Sequence, residues 1–390
     1  MLHQERIMRM ERIYVDHAAT SPMHPAVIDV MVIEMNQTFG NPSSIHSFGR
    51  QARQKVDTAR LVCASSIGAK VNEIIFTSGG TESDNLAIRG AVYANQKFGK
   101  HIITSAIEHH AILHTCQALE KEGFEVTYLP VDHTGRVNIE DVKSALREDT
   151  ILVSIMMVNN EIGTVQPIQE IGEILKNHKA LFHTDAVQAY GLIPVDVNEL
   201  GVDFLSISSH KINGPKGVGF LYARENATFS QLQFGGQQER KRRAGTENVP
   251  GIVGLAKAVE LIQIEREERV ENYLRFQEIF INELKVNDIR FEKNGNETFF
   301  APHVLNLSFD DISIESFLVN LDIAGIAASS GSACTAGSVD PSHVLVEMFG
   351  IESPKIRSSI RFSFGYGNTE DQIHALAKRV TSIVQRLVKM

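Results

Sequence analysis

Seven short apolar runs punctuate the first part of the chain, at Glu73 to Thr77, His101 to Ile107, Glu125 to Pro130, Thr150 to Val158, Leu181 to Ala186, Phe204 to Ser208 and Val218 to Tyr222. Stretches with helical spacing separate most of the early ones: Glu82 to Gln96, Ala111 to Glu122, Ile139 to Leu146 and Ile168 to His178. A run that is apolar nearly throughout, rather than at every second position, is a strand buried on both faces. Such strands, joined through helices, imply a mainly parallel sheet with helices covering both sides. The chain is therefore predicted to be α/β. Ligands of these sheets sit beyond the carboxyl ends of the strands, so polar residues that end a strand are where chemistry is sought.

Before the first run, a helix is predicted from Pro25 to about Met35, then a turn at Gly40 to Ser44 and a longer helix from about Ser44 to Ile67. In that second helix Ile45, Phe48, Ala52, Val56, Ala59 and Val62 fall at helical spacing. After the seventh run, a long charged helix from about Val249 to Leu284 reads as the bridge to a smaller α+β domain. That domain has a strand at His303 to Phe309, a helix near Ile314 to Leu321, the loop around Cys334, a strand at Ser359 to Phe364 and a last amphipathic helix from Thr369. The predicted division is a large domain of residues 21–260 and a small domain of residues 1–20 and 261–390 that carries the Cys334 loop.

Composition narrows the function. A formal net charge of -9 argues against binding nucleic acid through its phosphates, which takes a basic face. Three cysteines, Cys63, Cys116 and Cys334, are too few and too scattered for a disulfide framework or a cysteine-rich zinc site, which points to a reducing, cytoplasmic setting. No run is apolar and long enough for a membrane span. Met1 to Arg12 is polar and of mixed charge, unlike a signal peptide, and Met10 could be an internal start.

Several stretches could carry chemistry. Ser206-Ile207-Ser208-Ser209-His210-Lys211 ends a strand in a polar cluster, placing Lys211 at the mouth of the sheet. A partly desolvated amine there is a usable nucleophile toward a carbonyl, with Ser208 and His210 as donors to an anion; the alternative is a plain loop lysine. Ser78-Gly79-Gly80-Thr81-Glu82-Ser83-Asp84 joins a strand to a helix, with Thr81 and Asp84 spaced as a capping box. Its small residues leave N–H groups open to a phosphate at the helix start. It has neither Gly-x-Gly-x-x-Gly nor the Walker lysine, so it does not read as a dinucleotide or nucleoside triphosphate site.

Asp185 closes another strand and is either a structural cap or the partner of a protonated ring nitrogen, with Gln188 three residues on reaching a further polar atom of that ring. His109, His110 and His114 invite a metal reading, yet no zincin glutamate accompanies them. His109 is otherwise a buried structural histidine or a ring lying over a planar cofactor. Cys334 sits among small residues in Ser329-Ser330-Gly331-Ser332-Ala333-Cys334-Thr335-Ala336-Gly337, where a thiolate could move toward a substrate. Arg361 alternates with apolar residues along a strand, and its planar fork suits a carboxylate, unless it faces solvent. Thr246, in Arg243-Ala244-Gly245-Thr246, opens a helix and could meet an anion, or could belong to a surface loop.

Taken in order, the phosphate turn, His109, Asp185-x-x-Gln188, Ser208-x-His210-Lys211, the Arg361 strand and the lone loop cysteine resemble the cysteine desulfurases of the NifS/IscS type, pyridoxal-phosphate enzymes of the class V aminotransferase group. The resemblance extends from about Tyr14 through nearly the whole chain, and the cysteine loop looks like the longer first-group form. It implies the aspartate aminotransferase-like fold type I, with a large mainly parallel seven-stranded sheet domain. It also implies that Lys211 carries pyridoxal 5'-phosphate covalently, that Asp185 holds the ring nitrogen, that Gln188 meets the ring hydroxyl, and that His109 stacks on the ring and helps move protons. Gly80, Thr81, Ser208 and His210 would hold the phosphate, with Thr246 reaching in from the second subunit of a homodimer. Asn160 would touch the cofactor and substrate, Arg361 would hold the substrate carboxylate, and Cys334 would take the sulfur of L-cysteine as a persulfide, leaving alanine. The implied recipient is a sulfur-acceptor protein, either an iron–sulfur scaffold or a tRNA-thiolating enzyme. The alternative on the same scaffold is a selenocysteine lyase or another class V aminotransferase.

Overall fold

The structure, a computed structural model, describes residues 11–330 and 341–388, with the backbone of Cys334–Thr335 and Ser338–Val339 between them. After the two-residue strand β1 (Ile13–Tyr14) come helices α1 (Pro25–Gln37) and α2 (Ser47–Ser65). The alternating part follows as β2 (Ile74–Thr77), α3 (Gly80–Asn95), β3 (His101–Ser105), α4 (His110–Lys121), β4 (Glu125–Leu129), α5 (Ile139–Ala145), β5 (Thr150–Ser154), α6 (Ile168–Leu175), β6 (Leu181–Asp185), β7 (Phe204–Ser208) and β8 (Gly219–Ala223). The seven apolar runs all become strands, and they form one sheet in the order β2-β8-β7-β6-β5-β3-β4. The pairs β7-β6, β6-β5, β5-β3 and β3-β4 are parallel, and β8 alone runs against its neighbours β2 and β7.

Every residue of β2, β3, β5, β7 and β8 is buried, as strands covered on both faces must be. Phe182 and Phe204 are buried to within 1% of full coverage, and removing such a ring costs roughly 3–5 kcal/mol. The carboxyl ends of β6 and β7 are thus fixed to a rigid floor. Asp185 and Ser206 are register partners there, so the end of β6 lies beside the end of β7.

The long helix α7 (Val249–Val286) links two apolar cores. Val249, Leu255 and Ile262 pack into the core around the sheet, whereas Tyr273, Phe280 and Leu284 belong to a second core. That second core holds β9 (Phe291–Asn294), β10 (Val304–Phe309), α8 (Ile314–Ile323), β11 (Ile326–Ala327), β14 (Ser359–Ser363) and α10 (Glu370–Val388). The backbones of β12 (Cys334–Thr335) and β13 (Ser338–Val339) pair antiparallel, and α9 (His343–Phe349) follows. The sheet β14-β10-β9 is antiparallel, and β1 pairs with β11, which brings Ile13 and Val15 into the second core.

One expectation does not hold in full. Helix α2 begins at Ser47, later than predicted, and while Ala52, Val56 and Ala59 are buried, Ile45 and Phe48 are exposed at 92% and 52%. Ile45 and Phe48 stand exposed ahead of the stretch from Ala52 on that faces the core.

Candidate active site

A cavity of about 400 Å³ opens at the carboxyl edge of the sheet, where the two cores meet. Strand β7 ends at Ser208 and the chain turns through Ser209–Lys211, which carries the Lys211 side chain into the cavity wall. Lys211 Nζ donates to the carbonyls of Ala18 and Ala19, the latter at 2.7 Å. Burial, and next the Arg361 guanidinium, lower its pKa to about 8, against the opposing pull of Asp185 and Asp16. A useful share of the amine is therefore neutral and nucleophilic near neutral pH.

Asp185 is buried at the end of β6, where its Oδ1 accepts the Val187 N–H at 2.8 Å. Desolvation pushes its pKa up to about 6, which a cation brought into the cavity would reverse. Gln188 is held by two contacts, Nε2 to the Ala18 carbonyl at 2.9 Å and Oε1 to His303 Nε2 at 3.0 Å, leaving one amide N–H uncommitted. His109 caps α4: its Nδ1 accepts the Ala111 N–H at 3.1 Å, so the proton of the neutral ring is on Nε2. Its ring opens to the cavity yet is hemmed in by protein, and desolvation followed by Lys211 lowers its pKa to about 4. It is a neutral imidazole at pH 7.

The turn after β2 differs from the sequence expectation. Helix α3 starts at Gly80 with Gly79 as N-cap and no side-chain cap, so Thr81 is already inside the first turn. Asp84 faces the cavity instead of completing a capping box, and Glu82 takes the local role by accepting the Ser78 N–H at 2.7 Å. Gly79 sits at φ 144°, a conformation that strains other residues. Gly219 of β8 lies against it: a Cβ there would stand 2.9 Å from the Gly79 Cα. The uncapped helix start therefore reaches the cavity as bare backbone, next to Ser208 and His210. A neighbouring hollow of about 320 Å³ adds Thr20 and Lys216, and His210 Nδ1 lies 3.0 Å from Thr20 Oγ1. Lys216 supplies a positive charge that sequence reasoning did not single out.

The opposite wall comes from the second core. Arg361 lies on β14 and is buried, not solvent-facing. Its Nη2 donates to Asp16 Oδ1 at 2.8 Å and its Nη1 to the Asn160 carbonyl at 2.9 Å, while Nε is buried without a partner. Ser329, just before the cysteine loop, exchanges backbone hydrogen bonds with Arg361, and Ser342, just after it, donates to Glu161 Oε2 at 2.5 Å. Both flanks of the loop are thus fixed at the cavity rim; the Cys334 side chain lies outside the described residues. Cys63 and Cys116 are buried free thiols, each with its pKa pushed up to about 12 by desolvation, which makes them inert.

The cavity gathers Gly80, Thr81, His109, Asn160, Asp185, Gln188, Ser208, His210, Lys211 and Arg361 from six separate stretches of the sequence. Thr246 is exposed and does not line this chain's cavity. Sequence reasoning missed Asp16, which contacts Arg361 from 345 residues away, and His343, whose ring stands 4.9 Å from that of His110. No local pattern announces either. His110 and His114 stack in parallel at 5.0 Å, and among the described residues no three ligand-type side chains are grouped to hold a metal ion.

Residues 13–376 match the aminotransferase class-V family, and the chain belongs to it. A putative cysteine desulfurase IscS 1 of Bacillus subtilis (strain 168) is 61% identical over 378 residues, covering 97% of this chain and 100% of the relative. A solved NifS-like protein shares the fold with a TM-score of 0.90 at 35% identity, over 96% of this chain and 100% of the other. The solved structure of SspA in complex with cysteine gives 0.81 at 36% identity, over 90% and 98% of the two chains. The fold is that of the pyridoxal-phosphate transferases, and pyridoxal 5'-phosphate is the cofactor. The residues present fit it. An amine with a lowered pKa suits the aldehyde, a buried carboxylate held in no ion pair suits a protonated ring nitrogen, and an uncapped helix start suits the phosphate.

Proposed function

We propose that this chain is a pyridoxal-phosphate-dependent cysteine desulfurase, which converts L-cysteine to L-alanine and moves the sulfur to Cys334. The observation that carries the site assignment is the meeting of Lys211, Asp185 and Arg361 on one cavity whose rim holds both flanks of the Cys334 loop. Bound there, the cofactor supplies an electrophilic aldehyde and a protonated ring that accepts electrons released at the substrate Cα. Lys211 would hold the cofactor through its neutral amine, and that same amine is placed to take the substrate Cα proton. Asp185 would accept the ring N–H, Gln188 would donate its free amide N–H to the ring hydroxyl, and neutral His109 would lie against the ring. The backbone of Gly80 and Thr81 would bind the phosphate with Ser208 and His210.

Arg361 holds the substrate carboxylate through its fork, displacing Asp16, whose side chain keeps 21% exposure and has room to swing aside. Asn160, whose carbonyl fixes Nη1, keeps the guanidinium in plane beside cofactor and substrate. The Cys334 thiolate attacks the substrate Sγ as the Sγ–Cβ bond breaks. Its electrons stay with carbon, which is protonated to the methyl group of alanine. The thiol of Cys334 becomes a persulfide, and no outside oxidant or reductant is consumed.

Delivery calls for an acceptor protein, such as an iron–sulfur scaffold or a tRNA-thiolating enzyme, and the free buried thiols suit the cytoplasm. Among the described residues no helix is long and apolar enough to cross a membrane. A homodimer would cover the outward apolar side chains of Ile28, Val32, Met35, Phe39, Ile45 and Phe48, all exposed in this chain. Arg53 on α2 pairs at 2.8 Å with Glu247, so Thr246 stands next to a residue anchored on the helix that follows this face, and it would complete the phosphate site of the second copy. The test is to supply L-cysteine and a thiol reductant with and without added cofactor. Equal alanine and sulfide, dependent on the cofactor, is expected; turnover by the cofactor-free chain would refute the reading.

A further inference from the structure

Gln188 stands between two cavities. Its side chain borders the active cavity on one side and, on the other, a hollow of about 30 Å³ that His17, Tyr273 and His303 also line. Packing alone therefore does not fix the amide, and its two hydrogen bonds must. Nε2 lies 2.9 Å from the Ala18 carbonyl, which can only accept, so the amide nitrogen belongs on that side and the oxygen opposite. Exchanging the two ends would set oxygen against oxygen at Ala18. Oε1 then meets His303 Nε2 at 3.0 Å, and because an amide oxygen only accepts, His303 must carry its proton on Nε2.

His303 is held in place to make that contact. It immediately precedes β10, and the Phe364 N–H donates to its carbonyl at 2.8 Å. Gln277, buried on α7, donates from Nε2 to the carbonyls on either side of it, Pro302 at 2.7 Å and Val304 at 3.1 Å. The imidazole is buried, which lowers its pKa to about 3, so the ring is neutral at pH 7. Its Nδ1 meets no partner among the described residues. Burying a polar ring is costly unless its nitrogens are used, and the one use found here is Gln188.

We infer that His303 is a positioning residue for Gln188: its Nε2–H holds the amide oxygen away from the active cavity, so that the uncommitted amide N–H is presented there to the ring hydroxyl of the cofactor. The inference rests on the reading above in which Gln188 meets that hydroxyl. His303 does not line the active cavity and acts only through Gln188. Without it, Oε1 loses its donor, the adjoining hollow gives the amide room to turn, and only the Ala18 contact remains to aim the N–H.

The test compares two probes that form no bond to Lys211: pyridoxine 5'-phosphate, and 3-deoxypyridoxine 5'-phosphate, the same molecule without the ring hydroxyl. Their affinities for the full chain cleared of cofactor are measured by calorimetry at pH 7.5, and the ratio of the two is the readout. A residue that only fills the core moves both affinities together and leaves the ratio alone. Whatever else distinguishes the probes, such as the basicity of the ring nitrogen, is common to all variants and cancels between ratios. Gln188→Ala should lower the preference for the hydroxylated probe about tenfold, the upper range for one net hydrogen bond, and His303→Leu should lower it about three- to fivefold. His303→Gln, whose amide N–H can stand where Nε2–H does, should bring it back to within about twofold of the wild type. Added to Gln188→Ala, His303→Leu should change the ratio no further.

A ratio that His303→Leu leaves unmoved while Gln188→Ala lowers it, one that stays low in His303→Gln, or one that falls again in the double variant would overturn the inference and leave the cofactor reading standing. A ratio unmoved by Gln188→Ala would instead take Gln188 off the ring hydroxyl, and the inference would fall with that reading. His303→Ala replaces His303→Leu if the latter does not fold; if neither folds, His303 serves the core and the inference falls.

Discussion

The two walls of the cavity are built on opposite principles. On the sheet side, strand ends and a helix start present groups without complements: bare N–H groups at Gly80, an acid at Asp185 held in no ion pair, an amine at Lys211 bonded only to carbonyls. On the β14 side, Arg361 is already matched by Asp16 and by the Asn160 carbonyl. The first wall suits a resident that stays, because each unsatisfied group is a gain waiting for a bound cofactor. The second suits a visitor, because a substrate carboxylate replaces an existing ion pair and little net charge is exposed when it leaves.

Removing the amine breaks the contrast most completely. Lys211→Ala should lower the rate of alanine formation by at least about 10³-fold, the scale lost with a covalent nucleophile that also moves a proton. Its absorbance spectrum in the presence of cofactor should lack the band of the lysine adduct; near-normal turnover would remove Lys211 from the chemistry. On the other wall, Arg361→Lys retains the charge but not the fork. The KM for L-cysteine should rise about 10- to 100-fold, the worth of a buried bidentate pair over a single contact, with kcat changed far less. A change confined to kcat would place Arg361 on the reacting atoms and not on the carboxylate.

Asp16→Asn gives the smallest effect and the finest discrimination. If Asp16 competes with the substrate for the guanidinium, its amide should lower KM about two- to fivefold at low salt. A higher KM would mean that Asp16 orients Arg361 more than it competes.

The sequence conveyed the architecture because buried parallel strands are short, apolar and separated by helices, and all seven were visible as such. It conveyed the sheet-side residues for the same reason: Asp185, Ser208 and Lys211 stand where strands stop. The other wall was less visible. Asp16 is an ordinary acid in β1's wake until the pairing of β1 with β11 and the bridge from Asp16 to Ser363 bring it beside Arg361. Asp84 misled through local logic, since Thr-x-x-Asp at a helix start also describes a cap; the helix begins at Gly80 and turns the acid inward. Ile45 and Phe48 are exposed although they share the apolar spacing, because periodicity shows that a face is apolar, not what covers it.

The most direct test of the whole account is to react the protein with one equivalent of L-cysteine, without reductant, and to weigh its peptides. One added sulfur atom is expected on the Cys334 peptide, matched by one released alanine, and both the sulfur and the alanine should vanish in Cys334→Ser while the cofactor absorbance stays. Sulfur found instead on Cys63 or Cys116, or alanine formed undiminished by Cys334→Ser, would contradict it.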